Sequence, residues 1–212
     1  MINTLPFLKD AVVYLVDDDP AIRDSLSFLF MSRQMRAVSF ESGEDLLAAL
    51  PLESFGCIIL DMRMGGLSGL ETFSRLKAVG SKAPVIFLTG HGDVPVAVEA
   101  LKTGAADFIE KPFNDNLLVD TVVDCLKSHF GLMSEDRERA VFESRLQLLS
   151  AREVDVLRLL MAGLLNKQIA DALSISMRTV EVHRARVLSK MQARNAVELA
   201  ATLASHGIEL PG

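Results

Sequence analysis

Residues 11–20 read AVVYLVDDDP: six apolar residues, mostly β-branched or aromatic, run straight into three consecutive aspartates. The apolar run has the composition of a buried β-strand, with Asp17, Asp18 and Asp19 at its carboxyl end. Like charges side by side at such an end repel and cannot be fully hydrated, so a neighbour must compensate them. The same punctuation recurs along the chain. CIIL (57–60) ends at Asp61, PVIFL (84–88) at Thr89 and DFIE (107–110) at Lys111. With RAVSF (36–40) these make five strands, each followed by a stretch of helical periodicity, the pattern of a doubly wound parallel (βα)5 sheet. Asp19 is the expected cap of the first helix, ahead of Pro20, and Ser42 that of the second. Later helices are expected over about 70–79, 94–103 and 116–128.

Length and charge divide the chain. Its 212 residues are ample for two domains, and half of them are hydrophobic. Net charge is −6, unevenly spread: residues 1–127 carry 11 Lys and Arg against 18 Asp and Glu, residues 144–212 carry 9 against 6. An acidic first part and a mildly basic last part point to two domains with different partners. No apolar run approaches the ~20 residues of a membrane span, and the first residues lack the basic start and cleavage site of a secretory signal. Cys57 and Cys125 have no CxxC spacing and read as reduced thiols of a cytoplasmic protein. The expected division is a first domain over 1–128, a helical linker over 129–147 with a break at Gly131 and a cap at Ser134, and an all-α domain of four helices over 148–212.

In an open parallel sheet, chemistry gathers at the carboxyl ends of the strands. Asp17, Asp18, Asp61, Thr89 and Lys111 all fall there. Oxygen ligands in that number suit a hard divalent cation, magnesium best of all, which leaves positions for water and phosphate oxygens. A carboxylate beside such a cation and a lysine can attack phosphorus to form an acyl phosphate. Asp61, alone on its strand end, is the candidate nucleophile, with Lys111 as countercharge and the Thr89 hydroxyl as donor to the added group. Single Asp residues at strand ends are more often caps or turn residues; four strand ends agreeing favours a site.

The motifs VDDD, LDMRM, LTGHGDV and AADFIEKPF resemble those of bacterial response-regulator receiver domains over residues 10–128. The resemblance implies that Asp61 takes a phosphoryl group from a sensor histidine kinase or a small phosphodonor. It implies that Asp17, Asp18, Asp61 and the backbone carbonyl of Arg63 hold Mg²⁺, and that Thr89 and Phe108 form a switch pair. It also implies a cis Lys111-Pro112 bond, and makes Arg63 and His91 positions that tune phosphoryl loss. The chain departs from the family where Met-Pro is usual: it reads Met64-Gly65-Gly66, a more flexible loop.

From Ser150 the segments are short and helical. LSAREVDVLRLLMAG opens with a capping box, Ser150 with Glu153. NKQIADAL, a tight turn and MRTVEVHRARVLSKM follow, the core of a helix-turn-helix, with a fourth helix over about 196–204. A wheel of the third helix sets Val180, Val187, Leu188 and Met191 on one side and Arg178, Val182, Ala185, Arg186 and Ser189 on the other, a face suited to a DNA major groove. Lys167, Thr179, Arg184 and Lys190 are candidate phosphate contacts, Arg184 lying nearer the core side. His183 reads as a packed, hydrogen-bonded histidine. The whole segment resembles the LuxR-type helix-turn-helix, and together with the receiver the NarL/FixJ family of response regulators. That implies base reading by Glu181, Val182 and Ala185, homodimerisation on phosphorylation, promoter DNA and RNA polymerase as partners, and control of transcription, not enzymatic turnover. Two other readings fit parts of the pattern. A Mg²⁺-dependent aspartyl-phosphate phosphohydrolase would need a second Asp two residues after the nucleophile, where this chain has Arg63. A receiver that is never phosphorylated would not need the complete acid cluster.

Overall fold

The computed structural model describes residues 6–49, 55–90, 94–208 and 210. The chain divides into two compact units, Met1–Leu132 and Met133–Gly212.

The first unit is a five-stranded parallel sheet: β1 (Val12–Val16), β2 (Arg36–Phe40), β3 (Gly56–Asp61), β4 (Val85–Thr89) and β5 (Asp107–Glu110), in the spatial order β2-β1-β3-β4-β5. Alternation along each strand feeds two cores. Val13, Leu15, Cys57, Ile59, Ile86 and Leu88 face one side, with Leu26 and Phe30 of α1 (Pro20–Ser32) and Leu118, Val122 and Leu126 of α5 (Asp115–Gln147). Val12, Tyr14, Val16, Ile58, Leu60, Val85 and Phe87 face the other, where α2 (Gly43–Ala49), α3 (Gly69–Ala78) and α4 (Val94–Lys102) pack. Strands buried on both faces read as continuous apolar runs for this reason. The order places β1 and β3 side by side, with Val16 paired to Leu60, so that Asp17 and Asp61 leave the sheet at the same edge. Gly69 is required here: a Cβ on it would lie 2.3 Å from the Asp61 carbonyl oxygen, so the start of α3 can press against the end of β3 only without a side chain.

Asp19 caps α1, accepting the Ala21 N–H at 2.8 Å, and Ser42 accepts the Asp45 N–H at 3.1 Å. A capping box at α3, Ser68 with Glu71, has the same sequence signature as Ser150 with Glu153 and escaped the reading. The expected break at Gly131 does not occur. The helix runs unbroken through Ser134 to Gln147, because Gly131 takes ordinary helical dihedrals and one glycine costs a helix interior only about 1 kcal/mol.

In the second unit, α6 (Ala151–Met161), α7 (Asn166–Leu173), α8 (Met177–Met191) and α9 (Ala196–Ser205) enclose two apolar clusters. Leu157, Val187, Met191 and Leu199 centre one, together with Phe142; Val156, Ile169 and Val180 centre the other. The α7–α8 turn closes on Ser174 in the left-handed region, and Ser176 caps α8, accepting the Thr179 N–H at 3.1 Å. Among the described residues no helix is long and apolar enough to cross a membrane.

Candidate functional site

The carboxyl edge of the sheet answers the question posed by the three aspartates. Lys111, at the end of β5, extends its ammonium between two strands, donating to Asp17 Oδ2 at 2.8 Å and to Asp61 Oδ1 at 2.6 Å. The remaining oxygens are used as well. Asp17 Oδ1 accepts the Asp19 N–H at 2.9 Å, and Asp61 Oδ2 accepts the Arg63 N–H at 2.9 Å. Arg23 of α1, which no motif marked, donates from Nη1 to the Asp17 carbonyl at 2.7 Å and secures the loop. Asp19 is occupied in capping.

Asp17 and Asp61 are both buried, at 3% and 7% exposure. Burial pushes the Asp61 carboxyl above its ordinary range; the Lys111 bond and charge and the Arg63 N–H pull it down without prevailing, and the charge of Asp17 adds to the rise. Burial acts on Lys111 in the opposite sense, but its bonds to Asp17 and Asp61 outweigh it and hold the ammonium above its usual value. One pair thus raises the lysine without lowering the acid, because Asp61 is the more deeply buried partner and also faces Asp17.

Thr89 ends β4 one residue beyond Leu88, the partner of Asp61 in the sheet. It is fully buried, and its Oγ1 has no hydrogen-bond partner among the described residues. A buried hydroxyl left unpaired costs on the order of 1–3 kcal/mol and marks a place where another group is awaited. Phe108 of β5 is half-buried against the core on the α2, α3 and α4 side of the sheet, and Lys111-Pro112 is cis.

The three carboxylates expected to gather round a cation have different partners. Lys111 serves Asp17 and Asp61, whereas Asp18 is exposed and turned to the β3–α3 loop, its Oδ2 accepting the Gly65 N–H at 3.0 Å. Among the described residues no three Asp, Glu, His or Cys side chains are placed to hold a metal. The donor chemistry nevertheless fits one. Formally, three carboxylates against a single ammonium leave two negative charges in excess, all on hard oxygen donors. His91 lies outside the described residues.

In the second unit, α8 presents the expected two faces. Val180, Val187 and Met191 are buried and Leu188 half-buried, while Arg178, Glu181, Val182, Ala185 and Arg186 are exposed, with Lys167 exposed on α7. Thr179 is half-buried, its hydroxyl 2.8 Å from that of the capping Ser176. Two basic residues are committed elsewhere. Arg184 donates to Asn166 Oδ1 at the start of α7. Lys190, expected on the DNA face, donates instead to Glu153 Oε2 at 2.6 Å and to the Leu148 carbonyl at 3.0 Å, tying α8 to the start of α6. Position on the wheel could not show this, because a four-carbon stem lets the ammonium turn inward. His183 is half-buried as expected, and among the described residues its Nδ1 has no hydrogen-bond partner.

Comparison with known proteins settles the family. Residues 13–123 match the response regulator receiver domain, and residues 147–203 match the bacterial regulatory proteins of the luxR family. The chain is a NarL/FixJ-family response regulator. It is similar along most of its length to the C4-dicarboxylate transport transcriptional regulatory protein DctR of Rhodobacter capsulatus (53% identical, covering 89% of this chain and 96% of that protein). The transcriptional regulatory protein FixJ of Bradyrhizobium diazoefficiens is 45% identical, covering 88% of this chain and 91% of that protein. Among solved structures, the response regulator StyR is 35% identical with a TM-score of 0.87, covering 92% of this chain and 99% of that one. This regulator is therefore a phosphorylation-dependent transcription factor with a receiver and a LuxR-type DNA-binding domain.

Proposed function

We propose that Asp61 is the phosphoacceptor of this regulator and that its phosphorylation switches the C-terminal helices to promoter binding. The reading rests above all on one observation: a buried carboxylate held by Lys111, next in the sheet to a strand that ends in an unpartnered, fully buried Thr89 hydroxyl. An Asp61 oxygen attacks the phosphorus of a phosphohistidine on a sensor kinase, or of a small acyl phosphate. The new O–P bond forms as the P–N or P–O bond breaks, and the electron pair leaves with the imidazole nitrogen or carboxylate oxygen. Lys111 neutralises the phosphoryl oxygens, and the Thr89 O–H donates to one of them, gaining the partner it lacks. Asp17, Asp18, Asp61 and the backbone carbonyl of Arg63 would hold a divalent cation, Mg²⁺ by charge and ligand type, which supplies further charge neutralisation at the phosphoryl group. Phosphoryl acceptance and loss occur at the regulator's own Asp61, without turnover of a separate substrate.

Movement of Thr89 toward the phosphoryl group vacates space that Phe108, half-buried on the next strand, turns to fill. That remodels the face of α4, β5 and α5, over which two copies pair. The phosphoryl group need only bias an equilibrium between two existing arrangements. A two-fold dimer presents two α8 helices to half-sites about one helical turn apart. Arg178, Glu181, Val182, Ala185 and Arg186 face the groove, and Lys167 and Thr179 contact phosphates. Residues 1–128 act as receiver, 129–147 as helical linker and 148–212 as DNA-binding domain, in the bacterial cytoplasm, with RNA polymerase as the downstream partner. Sedimentation velocity with Mg²⁺ and acetyl phosphate tests the coupling: the dimer fraction should rise in the parent and not in Asp61→Asn. An equal response in both would refute it.

A further inference from the structure

The loop between β3 and α3 is braced by two carboxylates from elsewhere in the fold. Asp18 Oδ2 accepts the Gly65 N–H at 3.0 Å, and Glu44 Oε1 of α2 accepts the Leu67 N–H at 3.1 Å. Between them Gly66 takes φ +77°, a left-handed conformation that favours glycine. Gly65 differs. It is not among the positive-φ glycines, and a Cβ on it would meet only Asp18 Oδ2, at an ordinary 3.9 Å. What residue 65 contributes is a backbone N–H, the one thing that a proline could not supply there.

That N–H is bonded to a carboxylate with other work to do. Lys111 compensates Asp17 and Asp61, and Asp18 is compensated by the loop instead. With Asp18 turned to Gly65, no three carboxylates among the described residues are placed to hold a cation. We propose, resting on the cation reading above, that the Gly65 amide competes with the divalent cation for the Asp18 carboxylate. Cation binding then releases one of the two braces of the β3–α3 loop, and the loop in turn weakens cation binding. Glu44 is the brace that stays, since it lies on α2 and bonds to Leu67, not to Gly65.

Magnesium titration of the full chain by calorimetry separates the possibilities. Gly65→Pro removes the donor and should bind Mg²⁺ roughly three- to tenfold more tightly, the net effect of one solvent-exposed hydrogen bond. Gly65→Ala keeps the donor and should stay within about twofold of the parent. Equal affinities in all three proteins, or an alanine effect as large as the proline effect, would overturn the proposal and leave the cation reading standing. No binding by any of them would overturn both. Should the proline variant not fold, the parent gives the answer by amide NMR: saturating Mg²⁺ should move the Gly65 amide proton upfield as its carboxylate partner departs. An unmoved or downfield-shifted resonance would contradict the proposal.

Discussion

Each unit of this regulator contains one buried carboxylate bonded to a lysine at 2.6 Å, Asp61 with Lys111 and Glu153 with Lys190, yet the two acids respond in opposite directions. Burial raises both. In Glu153 the Lys190 bond, the Ser150 N–H at 2.8 Å and the Ser150 hydroxyl together overcome it, and the carboxyl is held below its ordinary value. In Asp61 the compensation falls short, because Lys111 is shared with Asp17 and the charge of Asp17 opposes ionisation. Distance therefore does not distinguish a structural ion pair from a reactive one. The number of other groups satisfying the carboxylate does. Glu153 fastens α6 to α8; Asp61 is the residue proposed above to take a phosphoryl group.

The comparison can be broken most forcefully at Glu153. Glu153→Ala removes a capping-box member and leaves Lys190 without its carboxylate; because Lys190 reaches solvent, the cost should be about 1–3 kcal/mol. Chemical denaturation should show it in the transition of the C-terminal unit, and no loss there would reduce the pair to ornament. In the receiver the expected sign is reversed at Thr89. Thr89→Val deletes a buried hydroxyl without a partner while keeping the shape, and should stabilise the unit by about 1 kcal/mol while abolishing the phosphorylation-dependent dimer. Destabilisation would mean that the hydroxyl already has a use in the fold.

Acid sharpens the contrast. The folded-state pKa of Glu153 is lowered, so its contribution is present above the ordinary glutamate range and lost as pH falls through the folded value. That of Asp61 is raised, so its contribution is present below the ordinary aspartate range and lost as pH rises through the folded value. Stability profiles of Glu153→Gln and Asp61→Asn, each subtracted from the parent, should therefore slope in opposite directions between about pH 3 and 6. Parallel slopes would undo the distinction drawn here. The smallest effect is expected on the DNA face, where Lys167→Ala should reduce the salt dependence of DNA affinity by about one unit of log–log slope, as the loss of one phosphate contact requires. An unchanged slope would place Lys167 off the backbone.

Much of this was legible in the residues because their constraints are local. Apolar runs ending in Asp17, Asp61, Thr89 and Lys111 gave strands and their common edge, and Asp19, Ser42 and Ser150 marked helix starts through side chains that bond within three residues. What escaped depends on contacts between distant segments. Glu44 meets Leu67 and Asp18 meets Gly65 across 23 and 47 residues, and nothing in GEDLL (43–47) or MGGL (64–67) signals either. Lys190 looked like a DNA contact because a wheel gives the direction of its stem, not the carboxylate that its ammonium finds 37 residues away. Gly131 looked like a break because glycine is a weak helix former, while Phe142 and its neighbours further along the same helix are held by packing that no local pattern contains.

The most direct test of the account is the intact mass of the protein after incubation with Mg²⁺ and a phosphodonor, acetyl phosphate or a phosphorylated sensor kinase, beside Asp61→Asn. The account predicts the gain of one phosphoryl group in the parent, dependent on Mg²⁺ and absent from the variant. A parent that gains none from either class of donor, or a variant that gains as much as the parent, would contradict it.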